Sequence, residues 1–302
     1  MRGTADALDP VLDADAVIQR DGPAVWEALS PLARRAHQPA NFLPLQSAEA
    51  RGKPFNATIG QITDGHGRAL PLSPMAAALG GLDDAERSRA FLYGPVDGLL
   101  ELRRAWRDWQ RRGQPPAVPS SLPIVVAGAA HARFLAAELF VADGRPVVLP
   151  QSCPPEHKDL FSLRLGARIV TCDELPVAEP AVVLLESAGS GIDSLIEAAE
   201  RRPLIVIVDD TWEDLARPSR SPFWSLAGRH PNLIPIKIDG ADGHLGFPGG
   251  RVGFLTFPFD PESPLTLALE SKVKMLLRAE VGSTSAAMQV ILLRALAEDA
   301  NS

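Results

Sequence analysis

At 302 residues, with 46% apolar and 22% charged side chains, the chain can bury one large core with room for a small appendage. Its formal net charge of −7 removes any global attraction to nucleic acid or to an anionic membrane, so neither is expected as a partner. The two cysteines, Cys153 and Cys172, form no disulfide framework or zinc spacing; no apolar run reaches about 18 residues and the N-terminus carries no signal-like stretch, so a cytoplasmic location is expected.

In chain order, residues 1–50 are rich in Ala, Asp and Pro and read as an arm with short helices. A short apolar segment, FNATIG, follows at 55–60. Residues 84–113 are helical in pattern around a Tyr-Gly-Pro break, and Leu99, Leu102, Trp106 and Trp109 fall near one face. Strand and helix signals then alternate. Strands are predicted at 123–128, 144–150, 167–173, 181–187, 203–210, 233–238 and 252–257. Helices are predicted at 131–140, 157–166 and 194–202, with two long ones at 265–280 and 284–299.

Continuous β-branched runs between helices imply a mostly parallel sheet covered on both faces. Ligands of such sheets sit beyond the carboxyl ends of the strands. The residues to inspect are therefore Ala129 to His131, Gln151 to Pro155, Ser187 to Gly191, Asp209 to Trp212 and Asp239 to Gly243.

Read in order, several of these segments resemble class I/II aminotransferases of the pyridoxal-phosphate fold type I. LYGPVDGLLELRRAW (92–106) is similar to that family's Tyr-Gly-Leu-Arg segment. VVAGAAHARFLAAELF resembles its Gly-rich turn and phosphate-cupping helix. VVLPQSCPPEHKDLF resembles the next strand and turn, and IVIVDDTWEDL the segment that carries the ring-nitrogen aspartate. DGADGHLGFPGGRVGFLTF resembles the lysine segment and the Arg-x-Gly after it. The resemblance runs from about residue 40 to about 295.

It implies a three-layer α/β/α large domain over 51–270, with the small domain reduced or absent and 271–302 as its helical remnant. It also implies site residues: Asp209 for the pyridine nitrogen, Arg251 with Ala129, Ala130 and His131 for the phosphate, Tyr93 for a phosphate across a dimer, and Trp212 beside the ring. Residue by residue, a plainer account competes. Asp209 can be a helix cap or a structural ion pair, Arg251 a structural arginine, Tyr93 a packed aromatic, and His131 a solvated helix start.

The departures matter as much. Counting eight back from Arg251, the family's lysine position is Gly243. None of the five lysines stands there, and Lys237 lies six residues earlier inside a strand pattern. The family's asparagine falls nearest Ala188, and its stacking aromatic is replaced by the stretch QSCPPEH. No covalent lysine aldimine is expected, so the cofactor is either none or pyridoxal or pyridoxamine phosphate held non-covalently. His244, beside the vacant position, is the candidate acid/base with Asp209. Cys153 and His157, four apart, read as a buried thiol and a neighbour rather than a dyad.

The expectation is a repurposed enzyme of a specialised bacterial biosynthetic pathway, acting by acid/base chemistry on an amine- or amino-acid-derived small molecule, as a homodimer. The alternatives are a non-catalytic partner subunit in a heteromer with an active homologue, and an aminotransferase that binds a preformed cofactor adduct.

Overall fold

A computed structural model describes residues 14–36, 49, 50, 53, 68–112, 118–151, 153–170, 179–186, 191–211 and 221–299. The FNATIG segment, Cys172, Ala188 and Trp212 lie outside the described residues. Three short helices, α1 (Ala14–Asp21), α2 (Pro23–Ala28) and α3 (Pro31–Arg35), bury no residue. Then come α4 (Ser73–Gly80) and α5 (Asp84–Ala90), the latter started by a reciprocal capping box between Asp83 and Glu86.

The helix expected over 84–113 is two helices, because α6 (Leu100–Gln110) begins only after a break at Phe91–Leu99. Pro95 cannot donate a backbone hydrogen bond there, and Gly98 takes a φ of 95°, which helix does not allow. The remaining elements alternate: β1 (Ile124–Val126), α7 (Ala129–Phe140), β2 (Pro146–Val148), α8 (Pro155–Asp159) widening into a π turn at Leu160–Arg164, β3 (Arg168–Val170), β4 (Ala181–Glu186), α9 (Ile192–Ala199), β5 (Leu204–Asp209), α10 (Pro222–Leu226), β6 (Leu233–Gly240), α11 (Ala241–His244), β7 (Gly253–Thr256), α12 (Pro264–Glu280) and α13 (Ala286–Asp299).

The seven strands form one sheet in the order β1-β7-β6-β5-β4-β2-β3. All neighbouring pairs from β6 to β3 are parallel, and β7 alone runs against both its neighbours. The mostly parallel, doubly covered sheet is what the unbroken apolar strand runs imply.

Strand alternation sorts side chains between the faces. Ile205, Ile207, Ile236, Ile238 and Leu255 pack under α7 and α12. Leu204, Val206 and Val208 pack with Phe223 and Trp224 on the other face. Beside them Val125 and Phe254 meet Leu102 and Trp106 of α6 and Val290, Ile291 and Leu296 of α13. The apolar stripe read on α6 is therefore its buried face. Arg103, next to it, is buried as well; it donates to Asp97, to Glu270 at 2.7 Å and to the Pro123 carbonyl, tying α6 to α12.

Candidate functional site

The carboxyl ends of β1, β4, β5 and β6 bring the chemistry-bearing residues together. After β1 the chain turns on Gly128 (φ 87°) into α7, which starts without a side-chain cap. Such a helix end presents unsatisfied N–H groups, here on Ala129 and Ala130, that suit an anion. Arg251 lies directly over this turn, since a Cβ on Gly128 would stand 2.4 Å from its guanidinium nitrogen. Gly253, two residues on, packs so closely that a Cβ would meet the Gly128 carbonyl carbon at 2.2 Å. The Arg-x-Gly pattern thus has a geometric reason: the arginine covers the turn, and the glycine lets the strand approach it. Arg251 also adopts a left-handed backbone (φ 49°), donates to Asp242 at 2.6 Å and keeps its side chain half exposed. It is held in place yet open to a ligand.

Asp209, the last residue of β5, faces α7. Its Oδ2 accepts from Arg133 Nε at 3.0 Å and from Arg133 Nη2. Its Oδ1 accepts from the Thr211 N–H at 3.1 Å and from the Thr211 hydroxyl. Burial pushes the carboxyl pKa up, but the Arg133 charge and these four bonds outweigh it and hold the pKa below the usual carboxylate range. The plainer account of Asp209, a structural ion pair, describes its bonding here. Around it stand Glu186, its register partner on β4, and Cys153 and His157. Burial and the Asp209 charge raise the Glu186 pKa. Burial, then Glu186, takes the Cys153 thiol to about 11; burial, then Arg133, takes His157 down to about 4. Both shifts favour the neutral thiol and neutral imidazole over a thiolate–imidazolium pair.

Two expected site residues turn elsewhere. His131 has both ring nitrogens engaged, Nδ1 accepting from the Ala127 N–H at 3.1 Å and Nε2 standing 2.6 Å from Glu280. It anchors α7 to α12 and offers no nitrogen to an anion. His244 is buried in α11, edge-on to Trp109 (4.7 Å between ring centres) and near Trp106 (6.0 Å). Burial and the nearby Lys237 charge push its pKa down to about 4. It packs against α6 through Trp106 and Trp109, on the side of Lys237.

Lys237 points to that side, the lower face of the sheet. It is fully buried and ion-paired with Asp210 and, at 3.4 Å, with Asp239. Asp239 in turn accepts from Trp106 and Gln110. Tyr93 stands almost fully exposed beside Phe91 and Leu92. Sequence reasoning missed Arg133, although its signal was there: an arginine within the apolar run of α7, on the helical face shared by Ala129, Ala132, Ala136 and Ala137.

No protein-family model matches the chain, and no curated protein matches its sequence. Solved structures do match its shape. An aminotransferase from Anaerococcus prevotii superposes with a TM-score of 0.73 at 17% identity, over 87% of this chain and 74% of that one. An aromatic amino acid aminotransferase from Burkholderia cenocepacia gives 0.69 at 15% identity, over 90% and 76%. An aromatic-amino-acid aminotransferase from Burkholderia pseudomallei, covalently bound to pyridoxal phosphate, gives 0.64 at 16% identity, over 89% and 75%. The fold is that of the fold-type-I aminotransferases.

Proposed function

We propose that this chain is a repurposed aminotransferase-fold protein that binds an anionic, phosphate-bearing small molecule and performs no lysine-aldimine chemistry. Its site agrees with pyridoxal phosphate in one part and disagrees in two. The Gly128 turn under Arg251 suits the phosphate. The position eight residues before Arg251 is Gly243, which has no amine. Asp209, the partner a pyridine nitrogen would need, is already fully bonded to Arg133 and Thr211. Lys237 cannot serve instead, because it is locked under the sheet between two aspartates.

The observation that carries the reading is Arg251 held across the head of α7 while the groups needed for an aldimine are absent or occupied. Any acid/base step on an amine- or amino-acid-derived substrate falls to the groups around Asp209, among them Glu186, whose pKa burial and the Asp209 charge raise. The test has two arms. Calorimetry with inorganic phosphate is expected to show binding that falls at least about tenfold in Arg251→Gln, the worth of one charge-assisted contact. Incubation with pyridoxal phosphate followed by borohydride is expected to leave no pyridoxyl group on any lysine of the site; a stoichiometric adduct on Lys237 overturns the reading.

A second reading, a non-catalytic subunit that pairs with a homologue, draws on one feature. Phe91, Leu92 and Tyr93 are 92%, 65% and 98% exposed in succession, an apolar patch that water does not favour. Equilibrium sedimentation of the protein alone distinguishes a self-pairing chain from one that awaits a different partner.

A further inference from the structure

Asp209 accepts four hydrogen bonds, two on each oxygen. A carboxylate has about four lone-pair sites, so this one is saturated. Two of the four donors belong to Arg133, which reaches it from one turn inside α7, the same helix whose head lies under Arg251. Arg133 and Asp209 are both buried. Their charges cancel, so the carboxyl end of β5 offers no net anion from this pair. Among the described residues, Cys153, His157 and Glu186 on β4 sense the charges of this pair, and Glu156 on α8 acts on the first two.

From this arrangement we propose that Arg133 is a specificity-determining residue: it occupies the place of a cationic ring nitrogen, so the cleft takes a phosphate-headed ligand whose body is uncharged where it meets Asp209, and rejects one carrying a pyridinium there. The inference rests on the anion-binding reading above for its phosphate head. The physical argument is electrostatic. A pyridinium N–H needs a carboxylate with a free lone pair and a net negative charge. Here it would meet a filled carboxylate and a guanidinium of its own sign, in a site where burial weakens screening. An uncharged ring meets neither penalty and can lie against the flat guanidinium.

Two probes that share a phosphate and a six-membered ring separate the cases: benzyl phosphate, whose ring is uncharged, and deoxypyridoxine phosphate, whose ring nitrogen takes a proton. Calorimetry on the intact protein is expected to show benzyl phosphate binding at least tenfold more tightly than deoxypyridoxine phosphate. In Arg133→Leu the order reverses, because Asp209 is freed. Arg133→Gln keeps a neutral donor to Asp209 and serves if the leucine variant folds poorly; it is expected to bring the two ligands to within about threefold of each other.

Benzyl phosphate losing affinity in Arg251→Gln in parallel with inorganic phosphate supports the shared head site. Failure of inorganic phosphate to bind any variant sinks the anion-binding reading alone, since the ligand preference and its change at Arg133 are still read from the two ring probes. Wild-type protein preferring deoxypyridoxine phosphate overturns the inference, because Glu186 would then be doing what Asp209 cannot. An unchanged preference in both Arg133 variants overturns it as well.

Discussion

Asp209 and Asp210 are consecutive, both buried and opposite in circumstance. The two-residue period of the strand sends Asp209 toward α7 and Asp210 toward the other face, where it meets Lys237 and the Ser221 hydroxyl. Asp209 has every lone pair filled, and its pKa falls below the usual range. Asp210 leaves Oδ1 without a partner among the described residues. Burial, with the Asp239 charge nearby, raises its pKa despite the Lys237 ion pair. Two buried neighbours therefore shift in opposite directions: burial dominates at Asp210, which lacks a partner on Oδ1, and the Arg133 charge with four bonds outweighs it at Asp209. The cleft-side carboxylate is a settled ion. The lower one shares a single cation, Lys237, with Asp239.

The largest test follows from that dependence. Lys237→Met leaves Asp210 and Asp239 buried without their cation, and breaking such a pair costs about 3–5 kcal/mol. Urea unfolding is expected to show that loss. Arg133→Leu is expected to cost less, roughly 1–3 kcal/mol, because two Thr211 donors still hold Asp209. Equal losses in the two variants would break the contrast between the two aspartates.

The lower face also predicts a pH effect. His244 has a folded pKa of about 4, against about 6.5 in an unfolded chain. Between those values the unfolded state binds the proton and the folded state resists it. Stability is therefore full above about pH 6.5 and falls as pH drops toward 4, by about 3 kcal/mol in all. Urea midpoints between pH 7.5 and about pH 4.5 should trace this slope. His244→Phe keeps the ring packing on Trp109 and should flatten much of it, while His157, also held at about 4, retains a share. A slope unchanged in the variant would place the proton uptake elsewhere.

These two faces were not equally legible in the sequence. The strand order of apolar runs gave the parallel sheet, and the spacing of Leu99, Leu102 and Trp106 gave the buried stripe of α6. The Gly-rich turn and the Arg-x-Gly pattern pointed to the Gly128–Arg251 pair, because glycine demands there are local and leave a mark in the chain. The partners of Asp209 and Asp210 were not read, since each lies far away in sequence: Arg133 on a helix 76 residues earlier and Lys237 on a strand 27 residues later. Spacing along one element does not say which of two faces a neighbour occupies. His244 illustrates the same limit. It adjoins the expected lysine position in sequence, yet the short helix α11 turns it under the sheet, where two tryptophans bury it.

On the cleft side, conformation does the holding. Gly128→Ala would force an L side chain into a left-handed backbone at φ 87° and against the Arg251 guanidinium. Strain of this kind is worth roughly 1–2 kcal/mol. Thermal unfolding is expected to register it, and phosphate affinity to fall with it as Arg251 is displaced. A variant that loses stability but keeps its phosphate affinity would show that the anion does not sit at this turn.

The smallest effect tests the saturation of Asp209 directly. Thr211→Val is nearly isosteric and removes only the hydroxyl donor, leaving the Thr211 backbone N–H and both Arg133 bonds. A bond of this kind is worth about 1 kcal/mol. The sign of its pH dependence is fixed by the depressed folded pKa. Stability from the ionised carboxylate is present above the unfolded value of about 3.9 and is lost as pH falls through the lower folded value. The hydroxyl donates to that ionised form, so the cost of Thr211→Val should be full at neutral pH and shrink in acid. Urea midpoints of the two proteins at neutral pH and near the acid limit of folding would show the curves converging. Parallel curves would mean that the hydroxyl supports the loop after β5 rather than the charge on Asp209, and the cleft-side aspartate would then owe its ionised state to Arg133 and the Thr211 N–H.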